Sequence, residues 1–303
     1  QEIKPLPAAM FTEIMIDAKD AGMGGLSNIS KPGAFGVFNN SSANIFSAKD
    51  LGVGTSMSAT DDFSGNKLFA LGTFYNFRSN HSVSIGARYF NYPSVDIIDN
   101  MGIKNSSFSP SEMTIDLGYA YLISENLSIS LTGRYINSNL GSFDNAKSAN
   151  AFAADIGATY YKELQSINGG NVSVALVASN FGTKLRYIEE RHSIPSFLKF
   201  GTRIYIPFNE NHKIMGTANV AHRLLPSSFS STEAGIGAEY NLYKFGVIRA
   251  GYHTSHKTLG YGDYTTIGAG IKYKQISIDV AHWIGVNNKE FKNTLFFNLS
   301  ASF

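Results

Sequence analysis

Cysteine is absent from the 303 residues, so neither a disulfide framework nor a thiolate metal site can be built from them. Charge is scarce as well: Asp, Glu, Lys and Arg make up 16% of the chain, against roughly 25% in ordinary soluble domains. The formal net charge is only +2, too small a basic excess to argue for a nucleic-acid partner. No run approaches the roughly 18 consecutive apolar residues that a transmembrane helix requires, and the mean hydropathy of −0.08 agrees. What the chain has in excess is aromatic surface, 13% of its residues, nearly all of it Tyr and Phe. Low charge with abundant Tyr and Phe suits walls that face lipid. A chain of this composition that crosses a membrane must do so as strands.

From about Leu51 onward, apolar residues alternate with polar or small ones in blocks of ten to thirteen, the length a tilted strand needs to cross a bilayer. In the last block Leu295, Phe297, Leu299, Ala301 and Phe303 share one face, and Thr294, Asn298, Ser300 and Ser302 point the other way. Leu127, Ile129, Leu131 and Tyr135 alternate in the same manner with Ser128, Ser130, Thr132 and Arg134. Every block read this way predicts strands near 51–61, 66–77, 81–92, 111–122, 126–138, 149–163, 170–181, 196–207, 211–224, 232–243, 244–254, 263–274, 275–286 and 293–303.

The connections fall into two alternating classes. Arg78–Asn80, Ser124–Glu125, Asn209–Asn211, Tyr243–Lys244 and Gln275 are tight turns. Asn91–Pro110, Asn139–Ser148, Gly182–Pro195 and His253–Gly262 are longer and rich in Asn, Ser and Gly. Short periplasmic turns opposite long extracellular loops are the habit of outer-membrane barrels. A β-sandwich also reads as many alternating strands. Two features favour the barrel: Tyr75, Phe77, Tyr89, Tyr119, Tyr121, Tyr160, Tyr161, Tyr240 and Tyr273 collect near strand ends, where interfacial girdles belong, and the chain closes on Phe303. The terminal Leu299 and Phe303 resemble the C-terminal strand signal that the outer-membrane assembly machinery reads. The expected fold class is therefore all-β, a transmembrane antiparallel barrel of about fourteen strands spanning 51–303. An even strand count returns both termini to the periplasm. Gln1 in place of Met fits a signal peptide removed before it.

Charge on the lipid face would cost a few kcal/mol near the midplane. The alternation accordingly assigns Arg88, Asp116, Arg134, Asp155, Lys199, Arg203, Glu239, Arg249, Lys272 and Asp279 to the lumen. With both signs present, they either brace the interior as ion pairs or line a charge-selective pore.

Residues 1–50 break the pattern. The stretch from Asp17 to Gly25 holds consecutive small residues without alternation, and Asn39 to Ile45 is rich in Asn and Ser. Such a segment can pack its backbone closely against barrel walls, as a plug would. Here the sequence resembles the PorV/PorQ family of type IX secretion, itself similar to FadL fatty-acid channels. Members open on an Ala-Arg-x-x-Ala-Met-Gly-Gly-like element followed by an Asn-Pro-Ala element. Ala18, Lys19, Gly22, Met23, Gly24 and Gly25 match the first, while Asn40 and Ala43 stand where the second would be, with Ser41 and Ser42 between them and no proline. The resemblance implies a barrel that works through other outer-membrane or periplasmic proteins of a secretion or assembly complex. Around it lie lipid and lipopolysaccharide. FadL-like proteins instead pass apolar small molecules through the lumen.

Enzymatic readings find little support. The close pair His253 and His256 would lie on opposite faces of a strand, so a shared metal would need a loop there. Neither a Gly-x-Ser-x-Gly elbow nor a phosphate-binding glycine loop occurs. Gly52, Gly54, Gly268 and Gly270 recur at strand spacing, where glycine admits a close neighbour. His282 beside Trp283 is the one residue that keeps an outer-membrane hydrolase open. No cofactor is expected. Three functions stay open from sequence: partner-binding subunit, passive transporter and outer-membrane enzyme.

Overall fold

Alternation at period 2 can bury one face of a strand and expose the other, and a long series of such strands has no free edge only if it closes. The computed structural model, which describes residues 7–29, 31–60, 65–99, 101–141, 148–167, 169–187, 190–243, 245–285 and 293–303, shows that closure. Its strands are β1 (Leu51–Ala59), β2 (Lys67–Phe77), β3 (His81–Asn91), β4 (Val95–Ile98), β5 (Lys104–Phe108), β6 (Ser111–Ser124), β7 (Leu127–Asn139), β8 (Ala149–Glu163) and β9 (Asn171–Gly182). They continue with β10 (Leu185–Tyr187), β11 (Glu190–His192), β12 (Ser196–Pro207), β13 (His212–Leu225), β14 (Ser231–Leu242), β15 (Gly246–Ser255), β16 (Tyr264–Tyr273), β17 (Ile276–Ile284) and β18 (Leu295–Ser302). The pairs β4–β5 and β10–β11 are small hairpins within two long connections. The other fourteen strands pair antiparallel with their neighbours, and β18 returns to β1 to close a single barrel. Observed ends agree with the predicted ones to within about two residues. The predicted strand ends at 61, 244 and 286, positions 142–147 of the connection Asn139–Ser148, and positions 1–6 with Gln1 lie outside the described residues.

Burial is inverted relative to a soluble protein. Leu117 is 61% exposed while its neighbour Asp116 is fully buried, and Leu71, Ile156 and Ile236 stand out on the wall in the same way. On β18, Leu295, Phe297 and Leu299 face outward and Phe296 and Asn298 inward. Tyr75, Phe77, His81 and Tyr121 stack along the rim that carries the tight turns, as an interfacial girdle does. Tyr161 does not join it. Being adjacent to outward-facing Tyr160, it must turn inward, where it stacks on Phe46 at 5.1 Å.

The barrel ends meet: Phe303 N–H donates to the Leu51 carbonyl at 2.8 Å and Leu51 N–H to the Phe303 carbonyl at 3.2 Å, at the tight-turn rim. The N-terminal segment begins elsewhere. Ala8 N–H donates to the Ser193 carbonyl at 3.1 Å, in the long connection between β9 and β12 at the opposite rim. The two described chain ends therefore lie at opposite rims, because residues 8–29 and 31–47 run through the interior before β1 begins.

Candidate functional site

A strand pointing polar side chains into a barrel leaves donors and acceptors that something in the lumen must satisfy. Residues 8–29 and 31–47 supply that something. The short helix α1 (Ala18–Ala21) is capped by Asp17, whose carboxylate accepts from Lys19 N–H and also from Asn298 Nδ2 at 2.7 Å. Trp283 Nε1 donates to the Ala21 carbonyl at 3.0 Å, Ser56 Oγ to the Ile16 carbonyl at 2.6 Å, and Gly24 N–H to Thr266 Oγ1 at 2.9 Å. Asn28 Nδ2 reaches the Phe200 and Val220 carbonyls. Asn40 Nδ2 donates to Thr159 Oγ1 at 3.0 Å, and Ser41 pairs with Ser84 and Thr132. Further polar contacts from Thr12, Glu13, Asn44 and Lys31 extend the set around the wall, so that the segment bonds to β1 to β3, β7 to β9 and β12 to β18, and Ser41 lies against Gly118 of β6.

Glycine makes the closest approaches possible. Gly24 adopts φ +89, and a Cβ there would lie 2.6 Å from the Ile236 carbonyl oxygen. On the wall side, a Cβ at Gly237 would lie 2.5 Å from Met23 Cβ, and one at Gly268 would lie 3.4 Å from Gly22 Cα. Gly25, at φ +66, sits against Tyr264 and Trp283. The Gly22 to Gly25 element thus lies backbone to backbone on β14, β15 and β16. Ala43 is buried in the turn that positions Ser41, Ser42 and Asn44.

Seven of the ten charges assigned to the lumen fall into two clusters and a neighbouring contact. In one, Arg134 lies between Asp116 and Asp155, with its Nη2 3.0 Å from Asp155 Oδ2 and its Nε in contact with Asp116. Arg88 Nη2 approaches Asp116 from the other side at 3.6 Å, and its guanidinium covers the Phe38 ring. In the other, Arg249 bridges Glu239 at 2.7 Å and Asp279 at 2.8 Å. That bridge spans β16, and it is possible because Gly270, paired with Asp279, leaves the space open. Lys31 and Lys19 of the segment bind Glu239 and Asp279 respectively. The remaining three differ. Arg203 donates to Ser173 Oγ at 2.9 Å, Lys199 is half-buried over the Phe197 ring, and Lys272 stands exposed at the tight-turn rim.

The pattern of the first 231 residues settles the family. Residues 6–231 match the family model described as type IX secretion system protein PorV. The chain belongs to that family. Its barrel, a secretion-system outer-membrane protein and not an enzyme, has the fold of FadL-like channels. The Ralstonia pickettii toluene transporter TbuX superposes with a TM-score of 0.64 at 12% identity, over 96% of this chain and 99% of that one. The Pseudomonas putida toluene transporter TodX gives 0.61 at 13%, over 96% and 99%. A Pseudomonas aeruginosa FadL homologue gives 0.52 at 13%, over 95% and 98%. At such identities the likeness is one of fold. Comparison with curated protein sequences found no match.

Within this PorV-family barrel, several lumen residues escape the reading by alternation of charge. Arg223 holds Glu13 at 2.5 Å, and Glu112 accepts from Tyr92 Oη at 2.7 Å and Ser138 Oγ at 2.6 Å. The lumen is also less polar than the charges suggest. Trp283, Tyr264 and Phe296 stack inward on Met15, Ala18 and Ala21, and Phe11, Phe90, Ile136 and Leu185 form a second apolar cluster toward the long connections. Trp283 shares its parity with Asp279, and Phe296 with Asn298, so strand phase was the signal that could have placed them. His253 is fully buried and faces the Gly24 carbonyl at 3.1 Å, while His256 lies in the following turn. On the outer wall, a depression of about 620 Å³ crosses the closing seam where Thr55, Thr73 and Ala87 are smaller than their neighbours.

Proposed function

We propose that this barrel is a partner-binding subunit of a protein secretion complex, its lumen closed by residues 1–50 as a plug within the barrel of 51–303. The observation that carries the reading is the continuous bonding of the segment to the walls. Bonds from Asn28, Asn40, Ser41, Lys19 and Lys31 to the walls support a filled interior, and in this reading partners are met at the rims, the long connections and the lipid-facing wall. In this reading the tight-turn rim faces the periplasm, and Leu299 with Phe303 serves assembly. Membership in a secretion-system family supports the partner role.

The competing function, passive transport of hydrophobic small molecules, rests on the fold shared with toluene transporters. An apolar solute would have to pass the belt of Arg88, Asp116, Arg134 and Asp155, where desolvated charge offers it nothing. Purified protein in planar bilayers should conduct little, and liposomes carrying it should admit neither sugars nor fatty acids nor toluene. Gentle solubilisation of outer membranes should bring down stable protein partners. Saturable flux of a small molecule by a barrel that purifies alone would replace this function with transport.

A further inference from the structure

The tight-turn mouth of the barrel holds a pocket of about 490 Å³ between Lys31 of the N-terminal segment and the ends of β12, β13, β14 and β16. Lys213, Asn241, Tyr205 and Lys272 line it, with Tyr243 and Glu210 at its edge. Strand phase turns the first four inward, in step with Met215, Glu239, Arg203 and Thr266. Lys213 sits directly across from Asn241 in the ladder.

The charge balance is uneven. Glu239 lies just beneath, but Arg249 and Lys31 already take up its carboxylate, and Asn241 Nδ2 donates to it at 3.0 Å. Lys31 is therefore committed. Lys213 and Lys272 make no ion pair among the described residues, and the charge of Lys213 is felt at Lys272. Lys213 and Lys272 share the pocket with one carboxylate, Glu210, and an excess of ammonium over carboxylate raises the local potential and favours an anion between them. That anion comes from the aqueous side. Lipid headgroups sit outside the wall, on the face opposite to these inward-pointing side chains.

We propose that this pocket binds an acidic peptide segment of a partner chain, with its carboxylates between Lys213 and Lys272 and its apolar side chains against Tyr205 and Tyr243. Two lysines, an amide and two phenol rings match a segment in which acidic and apolar residues alternate. A bare inorganic anion would use the charges and leave the rings idle. The pocket deepens the partner-binding reading by naming a site and a partner chemistry, and it stands or falls on binding alone, whether or not the lumen conducts.

The experiment uses the full chain in detergent and a dye-labelled peptide of alternating Glu and Leu, followed by fluorescence anisotropy. Binding should weaken as sodium chloride is raised. The Lys213→Gln/Lys272→Gln protein should bind about tenfold more weakly, whereas Lys213→Arg/Lys272→Arg should bind as the parent does. Unheated gels, on which a folded barrel migrates fast, show whether each variant is folded. A peptide with Gln in place of Glu should not bind, and inorganic phosphate should displace the acidic peptide only at large excess. Equal binding by the parent and the Gln variant, equal binding of the two peptides, or displacement by equimolar phosphate would each overturn the site. Failure here combined with a closed lumen and co-purifying proteins would leave the partner-binding function intact and remove only this pocket from it.

Discussion

Replacing Arg134 by methionine would leave Asp116 and Asp155 facing the lumen without the cation that now lies between them. Arg134 Nη2 stands 3.0 Å from Asp155 Oδ2. At an effective dielectric of about 20, such a pair attracts by roughly 5 kcal/mol before desolvation is set against it. Part of the compensation survives the substitution. Asp116 keeps Arg88 at 3.6 Å and the Thr114 hydroxyl at 2.6 Å. Asp155 keeps the Asn180 backbone N–H at 2.6 Å but, among the described residues, no ion pair. Removing one member of a buried pair costs about 3–5 kcal/mol, and the surviving contacts put Arg134→Met near 3 kcal/mol. Urea titration in detergent, read as loss of the fast-migrating folded band, would measure it as a lower midpoint at unchanged slope. Adding Asp155→Asn to the Arg134→Met protein should recover about 1–2 kcal/mol, since the stranded charge is then gone. A loss under about 1 kcal/mol for Arg134→Met, or further destabilisation by the second change, would show that these charges are solvated and the lumen wet.

Three other outcomes follow from the same geometry. Leu117→Lys, on the lipid face near the middle of β6, should destabilise the barrel by about 2–4 kcal/mol in vesicles, as urea titration would register. Gly237→Val places side-chain atoms where Met23 Cβ lies, 2.5 Å from a Cβ at that position, so the segment should be displaced and Lys19 and Lys31 opened to trypsin while the barrel still migrates as folded. Removing Phe303, whose backbone pairs with Leu51 at the seam, should slow insertion and expose more chain to periplasmic proteolysis; unchanged assembly would refute its role as a signal.

The barrel was legible because its strands obey a single rule. Each strand faces lipid on one side and lumen on the other, so the alternation of Leu295, Phe297 and Leu299 with Phe296 and Asn298 repeats around the wall and carries length, phase and count together. Charges were legible for the same reason, since Asp116 and Arg134 can only point inward. Their pairing was not: that Arg249 reaches Asp279 depends on Gly270 being empty space on the strand between them, a three-strand relation that no single block displays. Inward aromatics are less legible, because the charges mark the lumen only at the positions they occupy. Strand phase turns Trp283 and Phe296 inward, but what they pack on, Ala18 and Ala21 of α1, leaves almost no periodic signal over four residues.

The glycines of β14 to β16 make sense only together with the segment that lies on them. A glycine inside a strand gives up packing and loses more backbone entropy on folding than alanine would, about 0.5–1 kcal/mol each. Gly235, Gly237, Gly251 and Gly268 would be liabilities in a barrel with an open lumen. Against Met23 and Gly24 they become the condition for contact, because a Cβ at Gly235 would stand 2.6 Å from the Gly24 carbonyl oxygen and one at Gly237 equally close to the Met23 backbone. The two sets are complementary: Gly24 needs φ +89 to bring its N–H to Thr266 and its carbonyl to His253, and the wall needs no side chains where that turn descends. A segment that had to leave the lumen in every working cycle would give up these bonds each time, and the Asp17, Trp283 and Ser56 bonds with them. The chemistry of the wall therefore favours a segment that stays in place.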